Sequence, residues 1–589
     1  MKPMVDPRGG DIEDDASSTK QRSLLAIAGS LLAEISPIKL IIAWTLLMGL
    51  PALALGLVPV LLSIWLRIAS RQAAIVYTGL APLLFLAALG LIGWFGGRRA
   101  FRMLESSFWS LNSVAVQPLY ALCRETLRHL TEHRLLSRSN APPKTIARAR
   151  AVTAAVAGLI VFALALGLAL LVWPATRWVG TLADLAAPRQ LALVAVANGV
   201  VLLSLYLAIA ALIWGIADAT MAQPRTFTAF RPAAPGAPRW RVAHLSDIHT
   251  VGERYGFRIE SGRVGPRGND KFAATLARLA AVHAAEPLDA ILITGDMTDA
   301  GLSTEWAEFL DALEPYPELA ALVTILPGNH DVNVVDRTNP ARMDLPMSPN
   351  KRLRQLRTLS AMTQLQGERY HVVDRERRDL GDTLAAAMAA RREPVEAFAD
   401  RGSRRAGGAI SELWATVFPL VQPPSRPDGL GILVLNSNAE THFSFTNALG
   451  MVSLEQARAM DAVKADYPDA SWLIALHHHV VEYPQPAKAL SERIGTALIN
   501  GSWFMRWIGR FAGRAIVLHG HRHVDWIGES GGLPIISAPS PVMEGTNAVD
   551  SYFYIHTLHR ADGTLTLARP ERVVVPAPDQ EAAAPSSLG

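Results

Sequence analysis

Five short stretches carry the side chains best suited to assembling a metal-dependent hydrolytic centre. They are Asp247-Ile248-His249, Gly295-Asp296-Met297-Thr298-Asp299, Gly328-Asn329-His330-Asp331, His477-His478-His479 and Gly520-His521-Arg522-His523. Together they offer carboxylate, amide and imidazole donors and no thiolate. Such a mixed oxygen and nitrogen set suits Mn, Fe, Zn or Co rather than Ca or Cu(I). A carboxylate can bridge two cations, and two cations about 3.5–4 Å apart can activate water and neutralise phosphoryl oxygens. Phosphate esters are extremely slow to hydrolyse unaided, so they are the substrates that most need this charge stabilisation. Singly the stretches are weak signals. Asp-x-His arises by chance and Gly-Asp-x-x-Asp is often a turn, whereas Gly-Asn-His-Asp and Gly-His-Arg-His are sharper. The argument rests on all five occurring in order.

These donors need a scaffold that brings distant positions together. From Trp240 onward, short apolar runs alternate with helical stretches. Residues 241–245, 290–294, 322–326, 431–435, 472–476 and 515–518 read as strands. Residues 271–284, 303–313 and 453–465 read as helices, and the last opens with Ser453 and Gln456 in capping-box spacing. This alternation predicts an α/β domain. Each donor stretch follows an expected strand, and open α/β sheets build their sites at the carboxyl ends of strands. Residues 341–428 interrupt the alternation. They are helical in propensity and rich in arginine, including Arg352, Arg354, Arg357, Arg375, Arg391 and Arg404. They are expected to form either a solvated helical insertion or a cap that reads an anionic substrate or lipid headgroups.

The first 220 residues differ in kind. The chain has 589 residues, half of them hydrophobic, and its mean hydropathy of +0.21 is high for a soluble protein. Residues 1–39 read as a polar tail with a short apolar run at 24–32, better suited to an interfacial helix than to a span. Residues 40–66, 72–97, 151–176 and 190–217 are uncharged runs, each long enough to cross a bilayer as a helix. None contains an ionisable side chain of the kind a proton or ion path usually shows, so residues 40–217 read as an anchor with four transmembrane helices. The loop at 98–150 is dense in basic residues from Arg98 to Arg150. The other loops carry only Arg67 and Arg71, and Arg177 and Arg189. The rich loop is therefore expected to be cytoplasmic, which places both ends of a four-span chain, and the C-terminal domain, on that side. Residues 218–239 read as a Pro/Ala-rich linker and residues 575–589 as a disordered tail.

Charge and cysteine content set further bounds. A net charge of +4 is small for this length, and no basic track interleaved with aromatics marks a nucleic-acid groove. The single cysteine, Cys123, excludes an internal disulfide and a thiolate metal site.

In order and content the five stretches resemble the calcineurin-like metallophosphoesterase superfamily. The resemblance spans residues 240–574, including the insertion at 341–428, and leaves out the apolar half. It implies an α/β/β/α sandwich of two sheets, here preceded by an all-α transmembrane region, and two divalent or trivalent metal ions (Mn, Fe, Zn or Co). By matching stretches, Asp247, His249 and His523 would bind the first metal. Asp296 would bridge the two. Asn329, His477 and His521 would bind the second, with His478 as the other candidate in its block and His479 a structural neighbour. His330 would stabilise phosphoryl oxygens or protonate the leaving alkoxide, Asp299 would orient His330, and Asp331 would be structural. His244, His519 and His442 match no ligand position. The implied reaction is hydrolysis of a phosphomonoester or phosphodiester, by attack of a metal-bridging hydroxide, at the cytoplasmic membrane face. The expected partners are membrane lipids and a phosphoester that is lipid-linked or a cyclic nucleotide. The alternatives are a nuclease of the same superfamily, or a membrane sensor or transporter with a regulatory phosphoesterase domain.

Overall fold

The computed structural model describes residues 49–74, 116–138, 142–252, 267–335, 349–401, 404–441, 447–484, 498–542 and 551–575, with Ile41, Thr45 and Asp344. The chain divides into Ile35–Met221 and a unit containing Ala222–Gly589. The polar tail with its apolar run at 24–32, most of the second apolar run at 72–97, His442 and nearly all of the C-terminal tail lie outside the described residues.

The first unit is helical. Its described α-helices are α1 (Leu50–Ala74), α2 (Gln117–Arg138), α3 (Pro143–Val172) and α4 (Pro188–Ala219). Among the described residues three stretches are long and apolar enough to cross a membrane: Leu50–Arg71, Lys144–Ala175 and Pro188–Ala219. Helix α1 continues through Arg67 and Arg71, so the loop expected after residue 66 is the last turns of this helix. Basic side chains there complement the partial negative charge of a helix C-terminus. The packing puts small residues inside and large ones outside. Ala154, Ala157, Ala165, Ala195, Ala208 and Ala211 are buried, while Leu164, Leu171, Leu193 and Ile213 are exposed. Helices in lipid pack this way, because close backbone approach replaces a water-driven core. A Cβ on Gly199 would lie 2.6 Å from the Ala52 carbonyl oxygen, so only glycine permits the α1–α4 approach.

Helix α2 shows the reverse polarity to a helix in water. Glu125, Arg128 and Glu132 face inward, and Leu119, Leu122 and Leu130 face outward. The inward charges are paired: Arg128 with Glu125 at 3.0 Å and Arg150 with Glu132 at 2.7 Å. Arg124 and the Tyr120 hydroxyl both engage Asp218, one residue beyond the uncharged run at 190–217. Several arginines of the basic loop therefore serve as internal ion-pair partners.

The second unit contains two mixed sheets flanked by helices. Its strands are β1 (Arg225–Thr226), β2 (Arg239–Leu245), β3 (Ala290–Ile293), β4 (Val323–Ile325), β5 (His371–Asp374), β6 (Asp379–Thr383), β7 (Leu420–Gln422), β8 (Leu430–Val434), β9 (Ser471–Ala475), β10 (Ala515–His519), β11 (Trp526–Ser530), β12 (Leu533–Ser537), β13 (Ser551–Ala561), β14 (Thr564–Leu567) and β15 (Glu571–Val575). Its helices are α5 (Arg267–Ala285), α6 (Ser303–Leu313), α7 (Pro317–Ala320), α8 (Asn329–Val332), α9 (Pro349–Gln366), α10 (Leu384–Ala389), α11 (Arg392–Arg401), α12 (Arg404–Val417), α13 (Leu454–Asp466) and α14 (Gly501–Ile508). The nine-stranded sheet runs β1-β11-β12-β10-β9-β8-β7-β5-β6. The six-stranded sheet runs β14-β13-β2-β3-β4, with β15 on β13. Strands β2, β3 and β4 are parallel, as are β8, β9, β10 and β12. Nearly unbroken apolar runs in these strands, buried throughout in β3, β9 and β10, mark sheets covered on both faces. One hydrophobic core joins them, with Phe272, Trp306, Phe309, Leu473 and Phe553 among its members. Only half of the capping box expected at α13 forms: the Ser453 hydroxyl accepts from Gln456 N, while the Gln456 side chain bonds Asn436 N and O instead.

Two segments depart from expectation. The stretch at 341–428 is not a wholly helical insertion, since β5, β6 and β7 extend the nine-stranded sheet beyond β8. Its helix α9 does not present a basic face to solvent either, because Lys351, Arg352, Arg354 and Arg357 are all buried. The Pro/Ala-rich stretch at 218–239 is likewise not a loose tether throughout. Residues Arg225–Thr226 pair with β11, Phe227 N donates to Ile527 O, and Phe227 is buried. Burial of Phe227, with the partly buried Phe230 in edge-to-face contact 5.0 Å away, outweighs the weak local propensity.

Candidate metal centre

The five donor stretches converge because each begins where a parallel strand ends. Asp247 and His249 follow β2, Asp296 follows β3, Asn329 and His330 open α8 after β4, His477 follows β9, and His521 and His523 follow β10. The six-stranded sheet thus contributes three stretches and the nine-stranded sheet two. Among the described residues seven non-glycines have positive φ, and five of them are Asp247, His249, Asp296, His521 and His523. Left-handed backbone costs about 1–3 kcal/mol per residue and persists where its surroundings over-determine it. Its concentration on the donors means that the turns are shaped to aim side chains.

Among the described residues three groups of donors lie close enough to share a cation: Asp247 with His249 and His523, Asp296 with His477 and His521, and His249 with Asp299 and His330, which overlaps the first. In the first, His523 Nε2 is 3.1 Å from Asp247 Oδ1, and His249 Nε2 is 3.9 Å from the same oxygen. In the second, His477 Nε2 is 3.2 Å from Asp296 Oδ2, 3.1 Å from Asn329 Oδ1 and 3.0 Å from His521 Nδ1. Asp296 Oδ2 is also 3.8 Å from His249 Nε2, so one carboxylate oxygen faces both groups. Two imidazole nitrogens, an amide oxygen and a carboxylate oxygen converging in a buried site fit a cation that accepts their lone pairs. These donors fit a two-metal centre.

The surrounding contacts are polar braces. Asp331 accepts from Asp296 N and Thr298 N at 3.0 Å, Thr298 Oγ1 at 2.7 Å and Gly328 N at 2.8 Å, fastening two donor stretches together. A Cβ on Gly328 would lie 2.0 Å from Asp296 Oδ1, which explains glycine at that position. His477 Nδ1 donates to Thr294 O at 2.8 Å, which leaves Nε2 facing the site. Ser437 Oγ accepts from His477 N and His478 N and lies 2.9 Å from His478 Nδ1. The fold thus places His477, not His478, against Asp296. Ser437 and the bracing role of Asp331 were not marked by spacing, since a single hydroxyl after β8 and the last residue of a turn carry no pattern of their own. His244 lies 3.0 Å from Thr294 Oγ1 and outside both donor groups, and burial pushes His519 down to about 3.

His330 is placed at the edge of the site. Its Nδ1 donates to the backbone carbonyl of Asp299 at 2.7 Å, and its backbone N donates to Asp296 Oδ1 at 2.8 Å. The Asp299 carboxylate is nearer to His249 Nδ1, at 3.2 Å, than to His330 Nδ1, at 3.9 Å. Asp299 therefore holds His330 through its main chain, while its side chain stands behind the metal-facing His249, where an outer carboxylate fixes ring orientation.

Burial alone would push the His477 imidazole down, but Asp296 beside it outweighs burial and raises it to about 9. The resulting ion pair is complete below the ordinary histidine range and is lost as pH rises through about 9. A cation entering the site must displace this proton. Metal uptake at pH 7.5 is therefore expected to release about one proton from this group, read by titration calorimetry in buffers of different ionisation enthalpy. Apparent affinity should rise with pH up to about 9, and pH-independent uptake would contradict the assignment.

Residues 241–387 match the calcineurin-like phosphoesterase family. The match contains the first three donor stretches and ends before His477. Comparison with curated proteins gives no match. Among solved structures, a dimetal phosphatase from Danio rerio is similar at 12% identity and a TM-score of 0.31, over 57% of this chain and 99% of that one. With the family match and the paired donor groups together, the chain carries a calcineurin-like metallophosphoesterase domain and is a metal-dependent phosphoesterase.

Proposed function

We propose that the chain is a membrane-anchored, two-metal phosphoesterase that hydrolyses a phosphomonoester or phosphodiester at the cytoplasmic face of a membrane. The observation that carries this reading is the Asp296 carboxylate oxygen lying between His477 Nε2 and His249 Nε2, at 3.2 and 3.8 Å. Asp247, His249 and His523 would hold one cation, Asn329, His477 and His521 the other, and Asp296 both. Two bound cations supply Lewis acidity, which activates water and neutralises phosphoryl oxygens. His330, with Nδ1 committed to the Asp299 carbonyl, presents Nε2 to bind a phosphoryl oxygen or to give a proton to the leaving alkoxide.

Anchoring is supported by three helices of spanning length whose leucines face outward, and orientation by the basic loop at 98–150. A lipid-linked or headgroup ester suits an anchored enzyme, with a soluble cyclic nucleotide as the competing substrate. A nuclease would need an exposed basic groove, and the four α9 cations are buried instead. Alkaline phosphatase fused after Gly589 and expressed in bacteria is expected to be inactive; an active fusion would reverse the topology. The substrate is tested with detergent-solubilised, metal-supplemented protein against nucleotide-linked lipids, glycerophosphodiesters, cyclic nucleotides and monoesters. Turnover of soluble esters alone would remove the lipid reading.

A further inference from the structure

We infer that Arg354 and Arg357 of α9 are positioning residues for His330, acting on the two backbone segments that fix its imidazole. This rests on the reading of His330 as the group that handles the proton.

The imidazole is fixed from two sides. Its Nδ1 bonds the Asp299 carbonyl, which opens the irregular segment 299–302, and its main chain begins the short helix α8. Both segments need outside support. Segment 299–302 has no sheet partner beyond Thr250 O, which accepts from Asp299 N. Leu302 O accepts from Trp306 N, and side chains hold others of its peptide groups. Glu305 Oε2 accepts from Ala300 N and Leu302 N at 2.8 and 3.0 Å, and Arg357 Nη1 donates to Gly301 O at 3.2 Å. A four-residue helix leaves its last carbonyls without partners in the helix. Arg354 Nε donates to one of them, Val332 O, at 3.2 Å.

Arg354 also ties the segments to each other. A Cβ on Gly301 would lie 2.5 Å from Asp331 O and 2.8 Å from Arg354 Cδ, so the loop, α8 and the Arg354 stem are in direct contact. Asp344 pairs with the same guanidinium and sets its plane. Arg354 and Arg357 are essentially fully buried. An apolar pair would fill this space without desolvating two guanidinium groups. What the guanidinium groups add is directed donors to Val332 O and Gly301 O. Lysine keeps the charge but loses the planar array of donors, so Arg→Lys is the informative change.

The test is a double-mutant cycle in full-length, detergent-solubilised protein. The variants are Arg354→Lys, Arg357→Lys, His330→Ala and the two combinations, assayed on an alkyl phosphodiester, whose leaving alkoxide needs a proton, with metal content measured alongside. Each lysine variant is expected to lower kcat about tenfold, leave KM within about twofold, keep wild-type metal content and shift the pH profile of kcat. In the His330→Ala background the same change should cost less than about twofold, because residues acting through one group are not additive. Equal losses in both backgrounds, lost metal, or unchanged kcat would overturn the inference. If Arg354→Lys does not fold, Arg357→Lys completes the cycle; if neither folds, the pair is structural and the inference is wrong. A His330→Ala protein with full activity would instead remove the proton-handling role proposed above, a result that needs no arginine variant.

Discussion

Replacing Asp296 by alanine is expected to lower hydrolysis of bis-p-nitrophenyl phosphate by about 10³-fold or more, roughly 4 kcal/mol of transition-state stabilisation, and to reduce bound metal. Asp296 Oδ2 faces His249 on one side and His477 on the other, so no other described side chain can substitute for its charge between the two donor groups. Burial alone would raise its carboxyl, and the neighbouring His477 and His330 hold it below the usual carboxylate range, ready to ligate. Asp296→Asn is the companion variant. It keeps an acceptor for His330 N, a bond now made at 2.8 Å, but removes the charge, so it separates lost positioning from lost ligation. Elemental analysis and steady-state rates check both. Wild-type-like turnover with full metal content in the alanine variant would falsify the assignment of this centre.

His330→Ala is expected to retain both metals and to slow turnover by about 10²–10⁴-fold. His330 Nδ1 is committed to the Asp299 carbonyl, and neither the donor group of Asp247 nor that of Asp296 includes His330, which is why metal should stay. Its loss should also depend on the leaving group. A proton given to the departing oxygen matters most for alkoxides of high pKa and least for p-nitrophenolate. The variant should therefore lose more activity on an alkyl phosphodiester than on bis-p-nitrophenyl phosphate. Equal losses on both esters would point to phosphoryl-oxygen binding rather than proton donation, and loss of metal would mean that His330 belongs to the ligand set.

Much of this centre is legible in short stretches of sequence. Asp247 and His249, or Asn329 and His330, are close in the chain and share one turn after one strand. Their grouping follows from local geometry, and the strands themselves are announced by short apolar runs. Helix α13, with Ser453 as its cap, is legible for the same reason. The choice between His477 and His478 is not, because adjacent residues differ only in which way each ring is held. Thr294 O and Ser437 Oγ, one from each sheet, make that decision.

The larger surprises share a cause. A run of arginines such as Arg352, Arg354 and Arg357 looks like a solvated or substrate-facing patch until buried acceptors are placed around it, here Gln355, Asp344, Val332 O and Gly301 O. Likewise Phe227 in a Pro/Ala-rich stretch gives no periodic signal, and its place beside β11 depends on a strand 300 residues later. The identity of the donors, their order, the strand that precedes each block and the apolar character of the first 220 residues are all local properties, readable along the chain. Tertiary structure decided which donor faces which. Asp296 meets His477 because two sheets pack their strand ends together, and the Asp299 carboxylate lies nearer His249 than His330 because left-handed turns aim those side chains. Such contacts depend on packing across hundreds of residues, where spacing along the chain no longer measures distance in space.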